Sequence, residues 1–223
     1  MSGTRNIPTE STYLTNSCYE SRTCCWFTFW RELSANTLAY WGSMHGIIFA
    51  ELRNYAETKH GPGTWNALLE KASLENRVYV AVQEYPDTEI ISIVMAACAK
   101  TGLSVSDVLE DFGQFIVPSL MRMYGHLLKP EWRAIDVIDH TEGTVHAVVR
   151  VKNPHAKPPK LKTQRLSPHE VLLVYTSPRQ MCGLAIGIGT GLGQHFQEKI
   201  IANQTMCMHR GATRCEILFR KAG

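Results

Sequence analysis

Residues 171–179 read Val-Leu-Leu-Val-Tyr-Thr-Ser-Pro-Arg, and the fold can be worked out from them. The apolar, partly β-branched run Val171–Val174 predicts a buried strand. Residues two apart on an extended segment share a face, so Tyr175, Ser177 and Arg179 point to one side. Pro178 biases Ser177 away from helix and helps hold the extension. Two hydroxyls and a guanidinium on one side suit an anionic ligand. Arginine takes a carboxylate in bidentate fashion, and hydroxyls take further oxygens. A ligand with two carboxylates would use all three residues. The bland alternative is a turn with a surface arginine.

Outward from this strand, Lys160–Leu166 reads as a second strand, with Ser-Pro-His as the turn between them. A helix from about Gln180 to Phe196 follows. Lys199–Met206 and Arg214–Phe219 then read as a last hairpin around His-Arg-Gly. Upstream the signals are helical. Residues 45–58 form a helix closed by the Gly-Pro-Gly of 61–63, and another runs from Trp65 to Ala72. Val78–Val82 is a short apolar run. Asp87 opens a helix through Ile90, Val94 and Cys98 that Gly102 ends. Ser104-Val-Ser-Asp107 is a capping box for a helix carrying Val108, Phe112, Ile116 and Leu120. A helix from about Glu131 to Val151 stops before Pro154, Pro158 and Pro159. The order predicts an α+β fold: a helical subdomain, then strands flanking one helix, joined near Pro158-Pro159.

Composition narrows the class. With 44% hydrophobic and 19% charged residues, a chain of 223 residues can build a real core and is not disordered. The net charge of +3 is spread out, which argues against nucleic-acid binding. The stretch Leu33–Ala50, without Lys, Arg, Asp or Glu, holds Ser, Asn, Thr and His and makes a poor membrane span. Seven cysteines, an odd number, argue against a secreted disulfide framework and predict a cytoplasmic protein. Residues 1–43 differ in texture, with three of the seven cysteines, three of the five tryptophans and no lysine. We expect 1–43 to be an extension outside the domain, Met44 to be the true start and 44–223 to be the domain. A genuine tail is the alternative, which intact mass separates from the first reading.

Two further groups of residues can carry chemistry. His146 sits late in the helix 131–151. His140, six residues earlier, is off its face, so there is no i, i+4 metal pair. A single axial histidine suits haem, whose macrocycle supplies the remaining iron ligands. Haem also carries two propionates, which would give the Tyr-Ser-Arg fork its dicarboxylate. Cys182, Cys207 and Cys215, with His209 near, are candidates for a zinc site or a thiol redox switch. Buried small hydrophobes are the alternative. Gly187, Gly189, Gly191 and Gly193 do not fit G-x-G-x-x-G. Glycines on one side of a helix instead let another element come close. No nucleophile–base pair appears, so the chain is not read as an enzyme.

Met44-His-Gly, His146, Pro158-Pro159 and Tyr175-x-Ser177-x-Arg179, in this order and spacing, resemble the haem–nitric oxide/oxygen binding family (H-NOX). This family is the bacterial counterpart of the haem domain of soluble guanylyl cyclase. The resemblance implies a fold with haem b between the two subdomains and His146 as proximal ligand. It implies that Tyr175, Ser177 and Arg179 hold the propionates, that Pro159 presses on the porphyrin and that Ile48 packs against it. The positions of the distal donors found in oxygen-holding members fall at Leu52, Ile116 and Leu184, all apolar. That implies selection of nitric oxide over oxygen, with carbon monoxide as a further ligand. Nitric oxide would break the bond to His146 and shift the subdomains. The family's partners, a histidine kinase or a cyclic-di-GMP enzyme, would be regulated in trans. Some members hold zinc through three cysteines and a histidine. Cys182, Cys207 and Cys215 match those cysteines, but Gln204 stands at the histidine position, with His209 as a substitute. An oxygen sensor on the same fold and a haem-independent zinc or thiol sensor are the competing functions.

Overall fold

The computed structural model describes residues 42–154 and 156–223. Residues 1–41, nearly all of the expected extension, lie outside the described residues. β1 (Ser43–His45) pairs antiparallel with β2 (Glu84–Pro86), a pairing that three-residue strands give too little pattern to foresee. Between them lie α1 (Gly46–His60) and α2 (Thr64–Lys71). The apolar run at 78–82 forms no strand. Val78 and Val82 are exposed, and Tyr79 stacks on Phe49 with ring centroids 4.2 Å apart.

α3 (Asp87–Thr101) ends on Gly102 in the left-handed region, at φ 75°. α4 (Val105–Tyr124) opens with the expected capping box: Asp107 N donates to Ser104 Oγ, and Ser104 N donates to Asp107 Oδ2. The expected helix 131–151 is three pieces. α5 (Ala134–His140) leads into a π turn, Glu142–His146, and then into α6 (Ala147–Lys152). His146 N donates to Thr141 O, five residues back, at 3.0 Å. Such π turns recur at functional sites.

β3 (Lys160–Ser167), β4 (Glu170–Thr176), β5 (Ile200–Met206) and β6 (Cys215–Lys221) form one antiparallel sheet in the order β3-β4-β6-β5. Val171, Leu173 and Tyr175 alternate inward on β4, opposite Phe219, Ile217 and Cys215 on β6. This core also takes Val117 from α4 and Ile135 and Ile138 from α5. The helical half and the sheet therefore share a core. The fold is α+β, as expected.

α7 (Cys182–His195) packs on α4. Its glycines serve two faces rather than the expected one. A methyl at Gly187 would lie 2.1 Å from Glu110 O on α4. A methyl at Gly189 would lie 2.2 Å from the Phe219 ring of the sheet. Only glycine admits backbone this close. No single described helix is long and apolar enough to cross a membrane. Asp87–Thr101 and Val105–Leu127 pass that test together but are bent by 107°, and their Ile90, Ile93, Phe112 and Ile116 are core residues.

Candidate functional site

The described fold holds a cavity of about 300 Å³ with an open mouth, within the range of roughly 300–1,000 Å³ typical of small-molecule and cofactor sites. Its wall is mostly apolar. Ile48 comes from α1, Ile116 and Leu120 from α4, and Leu184 and Ile188 from α7. His146, Pro159, Tyr175, Ser177 and Arg179 line the same cavity.

His146 closes the π turn, with its side chain 15% exposed. Its Nδ1 lies 2.8 Å from Glu142 Oε2. Burial lowers its pKa, which the Glu142 carboxylate opposes but does not reverse. The ring is therefore neutral at pH 7, with Nδ1–H donating to the carboxylate. That leaves the Nε2 lone pair for a metal, the arrangement in which a carboxylate orients a metal-binding histidine. Burial acts to raise the Glu142 pKa, but hydrogen bonds from His146 and Arg150 outweigh it and hold the carboxyl below its usual value. Glu142 escaped the sequence reading, although a carboxylate four residues before a helical histidine is a readable pairing.

The fork assembles on and just after β4. Tyr175 Oη accepts from Met181 N at 3.1 Å, and Ser177 Oγ accepts from Arg179 N at 3.3 Å. The Tyr175 and Ser177 hydroxyls also hydrogen-bond each other, and the Tyr175 O–H remains to donate. Burial pushes the Tyr175 pKa up to about 12, so that proton stays in place at neutral pH. Arg179 is not the free guanidinium the sequence suggests. Its Nε lies 2.8 Å from Asp87 Oδ1, Nη1 donates to Lys157 O at 2.5 Å, and Nη2 donates to Ser43 O at 2.8 Å. Each Nη nitrogen still has one N–H to give. The donor set fits a haem: one imidazole nitrogen for iron, an apolar chamber, and hydroxyl and guanidinium donors for carboxylates.

The model of the haem-NO-binding family matches residues 45–204. The chain belongs to the H-NOX family. H-NOX domains are haem-binding gas sensors, and their ligands include nitric oxide and carbon monoxide. The crystal structure of an H-NOX protein from S. oneidensis in the Fe(II)NO state is 30% identical, with a TM-score of 0.75. That match covers 81% of this chain and 100% of the other. The NMR structure of an H-NOX domain from the same organism, in the Fe(II)CO state, is also 30% identical, with a TM-score of 0.72 and coverage of 81% and 99%. The Fe(II) unliganded H-NOX protein from K. algicida shares the fold at 23% identity, with a TM-score of 0.71 and coverage of 81% and 97%. No curated protein matches this chain by sequence.

Of the three expected distal positions, Ile116 and Leu184 line the cavity and Leu52 does not. Leu52 is 3% exposed and lines a separate small pocket with Tyr55 of α1, Leu68 of α2 and Ile93 of α3. Tyr124, at the end of α4, also lines the cavity, and burial raises its pKa. It lies eight residues from Ile116, about 12 Å along the helix.

The three cysteines singled out in the sequence do come together. The sulfurs of Cys182, Cys207 and Cys215 lie within 4.8 Å of one another, all buried. Burial pushes Cys182 up to about 12 and raises Cys215, so both are protonated thiols at neutral pH. His209 does not join them. It is exposed on the turn after Cys207, with Nε2 2.6 Å from Gln180 O. His209 therefore does not complete a four-ligand zinc site with the three cysteines.

Proposed function

We propose that this chain is a haem-based nitric oxide sensor, with residues 44–223 as its haem domain and 1–43 as an extension. The observation that carries the reading is His146. It is a mostly buried, neutral imidazole in an apolar cavity, with Nδ1 tied to Glu142 and Nε2 left for iron. His146 is the proximal ligand in this reading. Haem of the b type, held by His146, would supply a ferrous iron that binds a diatomic gas.

Tyr175 and Ser177 would hydrogen-bond the propionates through their hydroxyls, and Arg179 through the N–H groups that Ser43 and Lys157 leave. Pro159 presses on the macrocycle and Ile48 packs against it. Ile116 and Leu184 line the distal side and offer no hydrogen-bond donor. Oxygen is held through such a donor and nitric oxide needs none, so this wall favours nitric oxide over oxygen. Carbon monoxide is also bound. Release of His146 would free the π turn and α6 of an anchor and let the two halves of the fold shift, a two-state element. The chain is not itself an enzyme. It works in the cytoplasm and acts in trans on a histidine kinase or a cyclic-di-GMP enzyme.

Tyr124 supports a second reading. Its cavity-lining hydroxyl would have to reach the gas for this chain to hold oxygen. Absorption spectra of the ferrous, haem-loaded protein separate the two. The sensor reading expects a histidine-ligated haem that ignores air and becomes five-coordinate with nitric oxide. A stable complex in air refutes it, and Tyr124→Phe abolishes that complex if Tyr124 is the donor.

A further inference from the structure

Glu142 gathers three donors on one carboxylate. His146 Nδ1 lies 2.8 Å from Oε2, and Leu161 N, at the second residue of β3, donates to the same oxygen at 3.3 Å. Arg150 Nη2 donates to Oε1 at 2.6 Å. The carboxylate thus joins the π turn, α6 and the sheet at the point where the imidazole is held. Arg150 and Leu161 fix its plane, so His146 meets an acceptor that does not swing away. The i→i−5 bond from His146 N to Thr141 O fixes the backbone at the same place.

We propose that Glu142 is a positioning residue for His146, setting how strongly its Nε2 binds iron and holding the ring in place when that bond opens. An N–H shared with an anionic acceptor leaves more electron density on the opposite nitrogen than an N–H shared with a neutral one. A more basic Nε2 binds iron more tightly. Glu142 therefore raises the threshold that a gas must overcome to displace His146. It also keeps the displaced ring facing the iron through Nδ1, so that the ring returns when the gas leaves. The tie to Leu161 couples movement of the ring to β3, next to Pro158-Pro159. This inference rests on the haem-sensor reading.

The test compares the full chain with Glu142→Gln and Glu142→Ala, each loaded with haem and reduced. The Fe–His stretching frequency is read by resonance Raman, and haem loss by transfer to excess apomyoglobin. We expect the stretch to fall in both variants, further in Glu142→Ala. We expect haem loss to quicken by about tenfold, the low end of the range for lost outer-shell partners. Reduction potentials should rise, and the five-coordinate form should appear at lower nitric oxide. Glu142→Asp should recover part of each shift. Glu142→Gln keeps the side-chain length and can still accept from Leu161 N, so it carries the test if Glu142→Ala does not fold. Glu142→Gln with an unchanged stretch and unchanged haem loss overturns the proposal, whatever happens to amide exchange at Leu161. If the unaltered chain takes up no haem, the sensor reading falls with it. If it binds haem through a histidine and the variants match it, only the role of Glu142 falls.

Discussion

The contact between α4 and α7 leaves no room for a side chain at Gly187, and Gly187→Ala tests it. Judged by helix propensity alone, replacing an interior glycine with alanine stabilises a helix by about 1 kcal/mol. The structure reverses that sign. The new methyl would lie 2.1 Å from Glu110 O, 2.8 Å from its carbonyl carbon and 2.9 Å from its Cα. Non-bonded carbon contacts are most favourable at about 3.5–4.0 Å, so the helices must part by about 1 Å or more. All three atoms are backbone, and no rotamer change relieves them. Overpacking that side chains can partly absorb costs about 1–3 kcal/mol, and this case belongs at or above the top of that range. The net expectation is a loss of about 2 kcal/mol. Gly143→Ala is the control, because a methyl there meets nothing within 4 Å and the backbone is helical. It should gain up to about 1 kcal/mol. Urea unfolding of both variants reads the difference as a shift in midpoint at unchanged slope. The reasoning fails if Gly187→Ala is as stable as the parent, or if Gly143→Ala is as damaging. The same seam carries Ile116 and Leu184, so parting it also widens the cavity.

Two further predictions concern charge. Asp87 is fully buried, with Arg179 as its ion-pair partner, and its oxygens accept no hydrogen bond among the described residues. Arg179→Met should therefore cost about 3–5 kcal/mol, while Arg179→Met with Asp87→Asn should cost less than the two single changes added. Additive losses in urea unfolding refute this coupling. Burial acts to raise the pKa of Glu198, but bonds from Lys221 and from Ala134 N, with the charge of Arg133, hold it below the usual value. A carboxyl lowered by folding stabilises above its unfolded value and loses that contribution as pH falls through its folded value. Glu198→Gln should therefore cost about 1.5–3 kcal/mol at pH 7, a gap that closes below about pH 4.3. A gap of equal size at pH 3 would rule this out.

Much of this fold is legible in the sequence because its signals are local. The capping box at Ser104, the stop at Gly102 and the alternation along Val171–Tyr175 each act within a few residues, and each appears where expected. The π turn is not legible in the same way. It differs from an α-helix by one extra residue in a turn, and the apolar period around Val145 and Val149 tolerates both. Leu52 shows a different limit. Helical spacing puts it on the face of Ile48, yet its side chain is buried beside Tyr55, Leu68 and Ile93, away from the cavity.

Arg179 marks the deeper boundary. Period-two spacing with Tyr175 and Ser177 correctly gathers all three on one cavity. What spacing cannot supply is the counter-charge. A guanidinium that is 8% exposed cannot wait for a ligand's carboxylate before it is neutralised, since an unpaired buried charge is among the most destabilising features a fold can hold. Some anion of the chain itself must meet it. The nearest acid in the sequence, Glu170, pairs instead with Arg220 at the sheet edge. The role falls to Asp87, at the first residue of α3, with the carbonyls of Ser43 and Lys157 completing the shell. Arg179 therefore holds the first strand, the third helix and the Pro158-Pro159 segment together before any ligand arrives. A ligand carboxylate arriving there meets N–H groups already aimed, and does not have to order a loose arginine.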